Sequence, residues 1–85
     1  MRLRESNSAS RVADTLLFLI EGQGTIVSKG TEIPHLPHRE LSSMSGLARE
    51  TVTRVLAKME TAGLIDRSND LLLIPDVSAL EASIV

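Results

Sequence analysis

Three observations predict a mainly α fold with small β-hairpins. Apolar residues recur at helical spacing in separate segments, at Val12, Ala13, Leu16, Leu17 and Ile20 and again at Val52, Val55, Leu56 and Met59. The β-prone stretches are short and come in pairs around turn residues. A single glycine, Gly46, parts two helical segments at close quarters. Together these describe a three-helix core carrying a β wing.

The elements follow in order. Residues 1–9 are largely polar and read as a linker or hinge remnant. The first helix is expected from Ser10, with Ser8 or Ser10 as its N-cap, and Gly22 with Gly24 ends it. Thr25-Ile26-Val27 and Thr31-Glu32-Ile33, separated by Ser28-Lys29-Gly30, form a small hairpin. A second, short helix opens at Leu36-Pro37-His38-Arg39-Glu40-Leu41, where a proline suits the first turn because its missing N–H is not needed there. Ser45-Gly46 ends that helix. A third runs from Ala48 to about Ala62 and stops at Gly63 as a left-handed cap. Leu64–Arg67 and Leu71–Ile74 form a second hairpin around Ser68-Asn69-Asp70. Pro75-Asp76 starts a terminal helix with Val77, Leu80 and Ile84 on one side. One domain spanning 10–80 results, with 81–85 as a C-terminal tail.

Composition excludes several function classes. The 85 residues hold no cysteine, which removes disulfides, thiolate catalysis and zinc-finger or iron–sulfur ligation. Phe18 is the one aromatic residue, so the chain lacks the stacking platforms that readers of single strands use. No apolar run reaches the ~18–20 residues of a membrane span, and the N-terminus lacks a secretory pattern; the cytoplasm is the expected compartment. His35 and His38 stand three apart without a further ligand at metal spacing, and no nucleophile elbow or phosphate loop occurs, so no enzyme is expected. Met44 and Met59 read as core fillers.

The segment 37–74 carries the function. A short helix, a glycine turn, a second helix and a hairpin make a winged helix-turn-helix, with Gly46 at a turn position that needs positive φ. On a wheel of the third helix, Val52, Val55, Leu56 and Met59 fall on one side; Arg49, Glu50, Thr53, Arg54 and Ala57 fall on the other. Arg donates two hydrogen bonds to guanine O6 and N7, Glu accepts from cytosine N4, and Thr reaches a phosphate or a thymine methyl. Arg49, Glu50 and Arg54 are therefore the expected base readers, and His38, Arg39, Thr53 and Lys58 the expected backbone contacts of double-stranded DNA. For an isolated helix, a solvated face with i,i+4 ion pairs would be the commoner meaning of such a pattern; the surrounding turn and wing favour recognition. The charge is segregated accordingly. Residues 37–58 carry a local +2 against −4 for the remainder, although the whole chain sums to −2.

Arg49-Glu50-Thr51-Val52-Thr53-Arg54-Val55-Leu56, followed by Met59-Glu60 and Gly63-Leu64-Ile65, resembles the C-terminal DNA-binding domain of the Crp/Fnr regulators, the bacterial cyclic-AMP receptor protein and its oxygen-sensing relatives. The resemblance covers roughly residues 10–80. It implies that the positions of Arg49, Glu50 and Arg54 read a G·C-containing half-site, with a TGTGA-like sequence favoured. It further implies either the output half of a larger regulator, the favoured reading, or a stand-alone short relative. That regulator would dimerise through an N-terminal region, and any effector or cofactor would bind there; RNA polymerase is a further partner. Three departures stand out. Pro37 occupies a position where the family often caps with Ser or Thr; Ser42 and Ser45 replace apolar residues, implying a looser helix pair; and the wing tip is acidic.

Two rivals remain at this level. A winged helix used for protein–protein interaction would not need Arg and Glu patterned on the exposed face of its third helix. A winged-helix repressor of another family would share the fold, which is spread more widely than any one function.

Overall fold

The computed structural model describes residues 4–68 and 70–83. The order is α1 (Arg4–Gln23), β1 (Thr25–Val27), β2 (Gly30–Pro34), α2 (His38–Ser45), α3 (Arg49–Thr61), β3 (Asp66–Arg67), β4 (Leu71–Ile74) and α4 (Val77–Ala82). The expected mainly α winged helix-turn-helix is present, with the three helices α1, α2 and α3 packed together and the strands on one flank.

Both helix stops use the expected glycines. Gly46 adopts φ 76°, ψ 19° and gives its N–H to the Ser42 carbonyl at 2.9 Å. Gly63, at φ 80°, lets its own N–H reach the Glu60 carbonyl and the Leu64 N–H reach that of Met59, a pairing that satisfies the last carbonyls of α3. Pro37 caps α2 by its backbone alone: no side chain caps the helix, and the Pro37 carbonyl accepts from Glu40 and Leu41. Ser42 and Ser45 use their hydroxyls on the turn, Ser42 donating to the Leu47 carbonyl and Ser45 to that of Ser42. Asp76 caps α4 by accepting from the N–H groups of Ser78 and Ala79.

Several boundaries differ from expectation. α1 begins at Arg4, so the segment expected as a linker is helical from that residue, and Ser8 and Ser10 lie inside the helix instead of capping it. No glycine or proline interrupts Arg4–Ala9, and a helix nucleated by the buried stripe propagates cheaply through residues of adequate propensity. At the other end, Glu81 and Ala82, expected in the tail, form the last turn of α4, which Ser83 closes through its hydroxyl on the Leu80 carbonyl. Ile84 and the wing residue Asn69 lie outside the described residues.

The two hairpins do not stand apart. They merge into one antiparallel sheet in the order β1-β2-β4-β3, with Thr31 opposite Ile74 and Ile33 opposite Leu72. Alternation explains the merger. Thr31, Ile33, Leu72 and Ile74 all point to the helical side and are buried, and an isolated two-stranded hairpin is only marginally stable. The shared inner face joins Val12, Ala13, Leu16 and Leu19 of α1, Leu41 of α2, Val52, Val55, Leu56 and Met59 of α3, Ile65, and Leu80 of α4 in one core. Leu17 and Ile20, expected within the α1 stripe, are only partly buried, because α1 turns Leu19 inward instead. Met59 is core, as expected, but Met44 is not: it stands 43% exposed beside Phe18, which is 66% exposed, at the α1–α2 surface.

The wing is tied to α3 by an ion pair. Arg67 of β3 donates from Nε at 3.1 Å and from Nη2 at 2.8 Å to Glu60 Oε1. The Arg67 hydrogen bonds hold the Glu60 carboxyl below its ordinary value of 4.5.

Two outcomes are expected. Leu56→Ala, which empties a site with no solvent exposure, should destabilise the protein by about 2–5 kcal/mol in denaturant melts. Because the carboxyl of folded Glu60 is harder to protonate than that of the unfolded chain, the Glu60–Arg67 contribution is complete above pH 4.5 and is lost as the pH falls below it. Thermal melts through that range should therefore show a smaller loss of Tm for Glu60→Gln than for the unaltered chain, from a lower starting point.

Candidate nucleic-acid interface

The exposed side of α3 is fixed by what its other side must do. Val52, Val55, Leu56 and Met59 are buried, so the residues a half-turn away are turned to solvent: Arg49, Glu50, Thr53, Arg54, Ala57 and Lys58 are all exposed. Arg49 and Glu50 occupy the first turn, Thr53 and Arg54 the second and Lys58 the last. Among the described residues, Arg49, Glu50 and Arg54 carry no ion pair or side-chain hydrogen bond. Two guanidinium groups and one carboxylate are thus presented side by side near the helix start. The geometry suits donation to guanine and acceptance from cytosine on neighbouring base pairs.

The α2 side supplies a second row. Arg39 is exposed in the first turn of α2. His38, half-buried at the helix start, is bonded to the third helix: its Nδ1 lies 2.8 Å from Thr53 Oγ1. Two residues expected to touch the DNA backbone independently are thereby one unit. The bond also links the two helices of the motif at their exposed edge. Ala48, at the N-cap of α3, has no capping side chain, and its carbonyl accepts from Val52 at 3.0 Å.

Three participants escape the sequence pattern. His35, in the β2–α2 connection, gives its backbone N–H to the Asp70 carbonyl at 3.0 Å, and its Nδ1 lies 3.3 Å from the Ser68 carbonyl. Its ring is 6.2 Å from that of His38, tilted by 45°. Arg67 and Glu60 complete the group between α3 and the wing. The i,i+3 spacing of the two histidines is visible in the sequence, but the partners of His35 come from the wing and that of His38 from α3, which no local pattern reveals. Partial burial, reinforced by the charges of His35 and Arg67, holds His38 below its ordinary value of 6.5.

Among the described residues no group of three histidine, aspartate or glutamate side chains is placed to hold a metal, and no helix is long and apolar enough to cross a membrane.

The arrangement has counterparts in solved structures. TTHB099, a CRP-family transcriptional regulator from Thermus thermophilus, is 28% identical and superimposes with a TM-score of 0.79 over 91% of this chain and 40% of its own. A CooA variant from Carboxydothermus hydrogenoformans is 26% identical, with a TM-score of 0.83 over 92% of this chain and 37% of its own. TTHA1359, a CRP/FNR-family regulator also from Thermus thermophilus, is 26% identical, with a TM-score of 0.77 over 89% of this chain and 39% of its own. This chain thus spans well under half the length of each of these proteins. No curated protein sequence matches it significantly. Residues 10–83, nearly all of the chain, match the Crp-like helix-turn-helix domain. The chain belongs to that family of DNA-binding transcription-regulator domains.

Proposed function

We propose that the chain is the output domain of a Crp/Fnr-type regulator and binds double-stranded DNA by laying α3 in the major groove, with Arg49, Glu50 and Arg54 on base edges. The observation that carries this reading is the outward face of α3, where these side chains stand exposed and without protein partners among the described residues. A carboxylate among phosphates is electrostatically unfavourable. Glu50 in the first turn therefore supports base reading over simple adhesion to the backbone. Arg at both ends of the reading row and Glu between them suit a half-site containing G·C pairs, for which TGTGA-like sequences are the proposed match.

His38, Arg39, Thr53 and Lys58 are the proposed phosphate contacts, flanking the groove on either side of the base readers. Such contacts set register and carry no sequence information of their own. A two-fold symmetric operator asks for two copies, joined in this reading through a region N-terminal to the domain. A single copy then binds weakly, near the non-specific range of ~10⁻⁴–10⁻⁶ M.

Selection from random duplexes with an artificially dimerised form tests the whole reading. Enrichment of an inverted repeat is expected; absence of any preferred duplex, together with salt-insensitive binding, would instead favour a protein-interaction module. At single residues, Glu50→Ala or Arg54→Ala should cost about 1–3 kcal/mol on the selected site and relax preference at one position. Lys58→Ala should instead weaken all duplexes alike and lower the slope of log K against log salt by about 1. Unchanged binding to every duplex for both Glu50→Ala and Arg54→Ala would remove the base-reading assignment.

A further inference from the structure

The two histidines are the only imidazoles of the chain, and both lie where the second helix, the third helix and the wing meet. We propose that His38, set beside His35, couples duplex binding to proton uptake, with His38 and Thr53 acting together as a phosphate clamp that is completed by protonation. This rests on the DNA-binding reading above and adds to it a dependence on pH that the arginines cannot provide.

The hydrogen-bond inventory carries the argument. His38 Nδ1 and Thr53 Oγ1 share one proton between them at 2.8 Å. A neutral imidazole has one donor and one acceptor nitrogen. If Nδ1 is the acceptor, the Thr53 hydroxyl proton is committed to His38 and cannot point to a phosphate. Protonated His38 has N–H groups on both nitrogens. Nδ1–H then donates to Thr53 Oγ1, which frees the threonine proton to donate outward, and Nε2–H is a second donor. One proton taken from solvent thus supplies a positive charge and leaves two N–H or O–H donors available to an anion.

The surroundings keep this step unfavourable in the free protein. Facing the pair are Thr53 and Glu60 from α3 and Arg67 from β3, with the Ser68 and Asp70 carbonyls from the wing turn. Glu60, the carboxylate that senses His35, is already engaged by Arg67 at 2.8 Å. Arg39 and Glu40 of α2, Arg54 of α3, and Asp66 and Asp70 of the wing stand at neighbouring positions and are exposed to solvent. Partial burial and the nearby positive groups disfavour the imidazolium of His38. A phosphodiester brought against the same ring has the opposite effect, because an anion within a few ångströms stabilises the cation.

The sign follows by linkage. His38 holds its proton more tightly in the complex than in the free chain, so the complex binds more protons, and affinity rises as pH falls between the two titration points. A separation of one unit between free and bound forms sets a ceiling of about tenfold, reached only well below the free titration point; since free His38 titrates below its ordinary value, the gain from about pH 8 to about pH 6 is severalfold. No aspartate or glutamate of ordinary behaviour titrates in that interval, and arginine does not titrate at all. A metal bridge between the rings is the less suitable use of the pair, since both Nδ1 atoms have other partners and no third ligand is in place among the described residues.

The test is fluorescence anisotropy of a labelled mixed-sequence duplex at low, constant ionic strength across that pH interval, with the full 85-residue chain and three variants. The unaltered chain should bind severalfold more tightly at the acid end. His38→Gln should flatten the profile whatever its absolute affinity, His35→Gln should change its position, and His38→Arg should bind with little dependence on pH. Circular dichroism of each variant at both pH extremes separates loss of binding from loss of fold. A flat profile for the unaltered chain, or a slope that survives in His38→Gln, overturns proton coupling while leaving DNA binding intact. Absence of duplex binding at every pH by a folded chain overturns the DNA-binding reading, and proton coupling with it.

Discussion

Everything at the surface of this domain depends on the burial of one helical stripe. Val52 and Leu56 have no solvent exposure, and Val55 and Met59 have almost none. An α-helix has a single orientation that buries four such residues at once. With that orientation set, Arg49, Glu50, Thr53 and Arg54 have nowhere to point but outward. An exposed polar face is thereby held in place by apolar contacts on its far side, at a cost of several kcal/mol to any rotation of the helix about its own axis.

Polar contacts then refine what burial has set. The Glu60–Arg67 pair joins α3 to β3, and the His38–Thr53 bond joins α3 to α2. Both lie near the surface, where such interactions contribute little to global stability. Their value is angular. The first holds the wing against the end of the helix, and the second holds the two helices of the motif at their exposed edge. Gly46 complements them from the inside, because its left-handed conformation lets the chain reverse within three residues without a side-chain penalty.

Much of this was legible in the sequence, and the reasons are local. Gly46 and Gly63 announce helix ends through a conformational freedom only glycine has, and the 3.6-residue period of α3 separates its buried side from its exposed one. The start of α1 at Arg4 was not legible, because a polar turn added to a helix leaves no period to detect. Pairing of β2 with β4 was hidden for a different reason: alternation in Thr31–Ile33 and Leu72–Ile74 tells which face is buried but not which strand lies alongside. Met44 has core chemistry yet sits at the rim, since the short α2 buries only Leu41 fully. The His35–His38–Arg67–Glu60 group required all of these placements before it could be seen. The exposed polar face of α3 followed from one helix alone, whereas its supports are products of tertiary structure.

The β2–β4 pairing has a consequence for how the chain is closed. Thr31 and Ile74 close a loop of backbone that contains α2, the turn, α3 and the wing's first strand, so the whole recognition unit is strung between two strands that must find each other. Closing a loop of this length costs entropy before any contact rewards it. The helices rest on local contacts, whereas the sheet that clasps them joins strands distant in sequence. A chain cut before β4 would therefore lose more than its wing. It would leave β2 without its β4 neighbour, expose the inner face of Thr31 and Ile33, and release the helices from the sheet that clasps them.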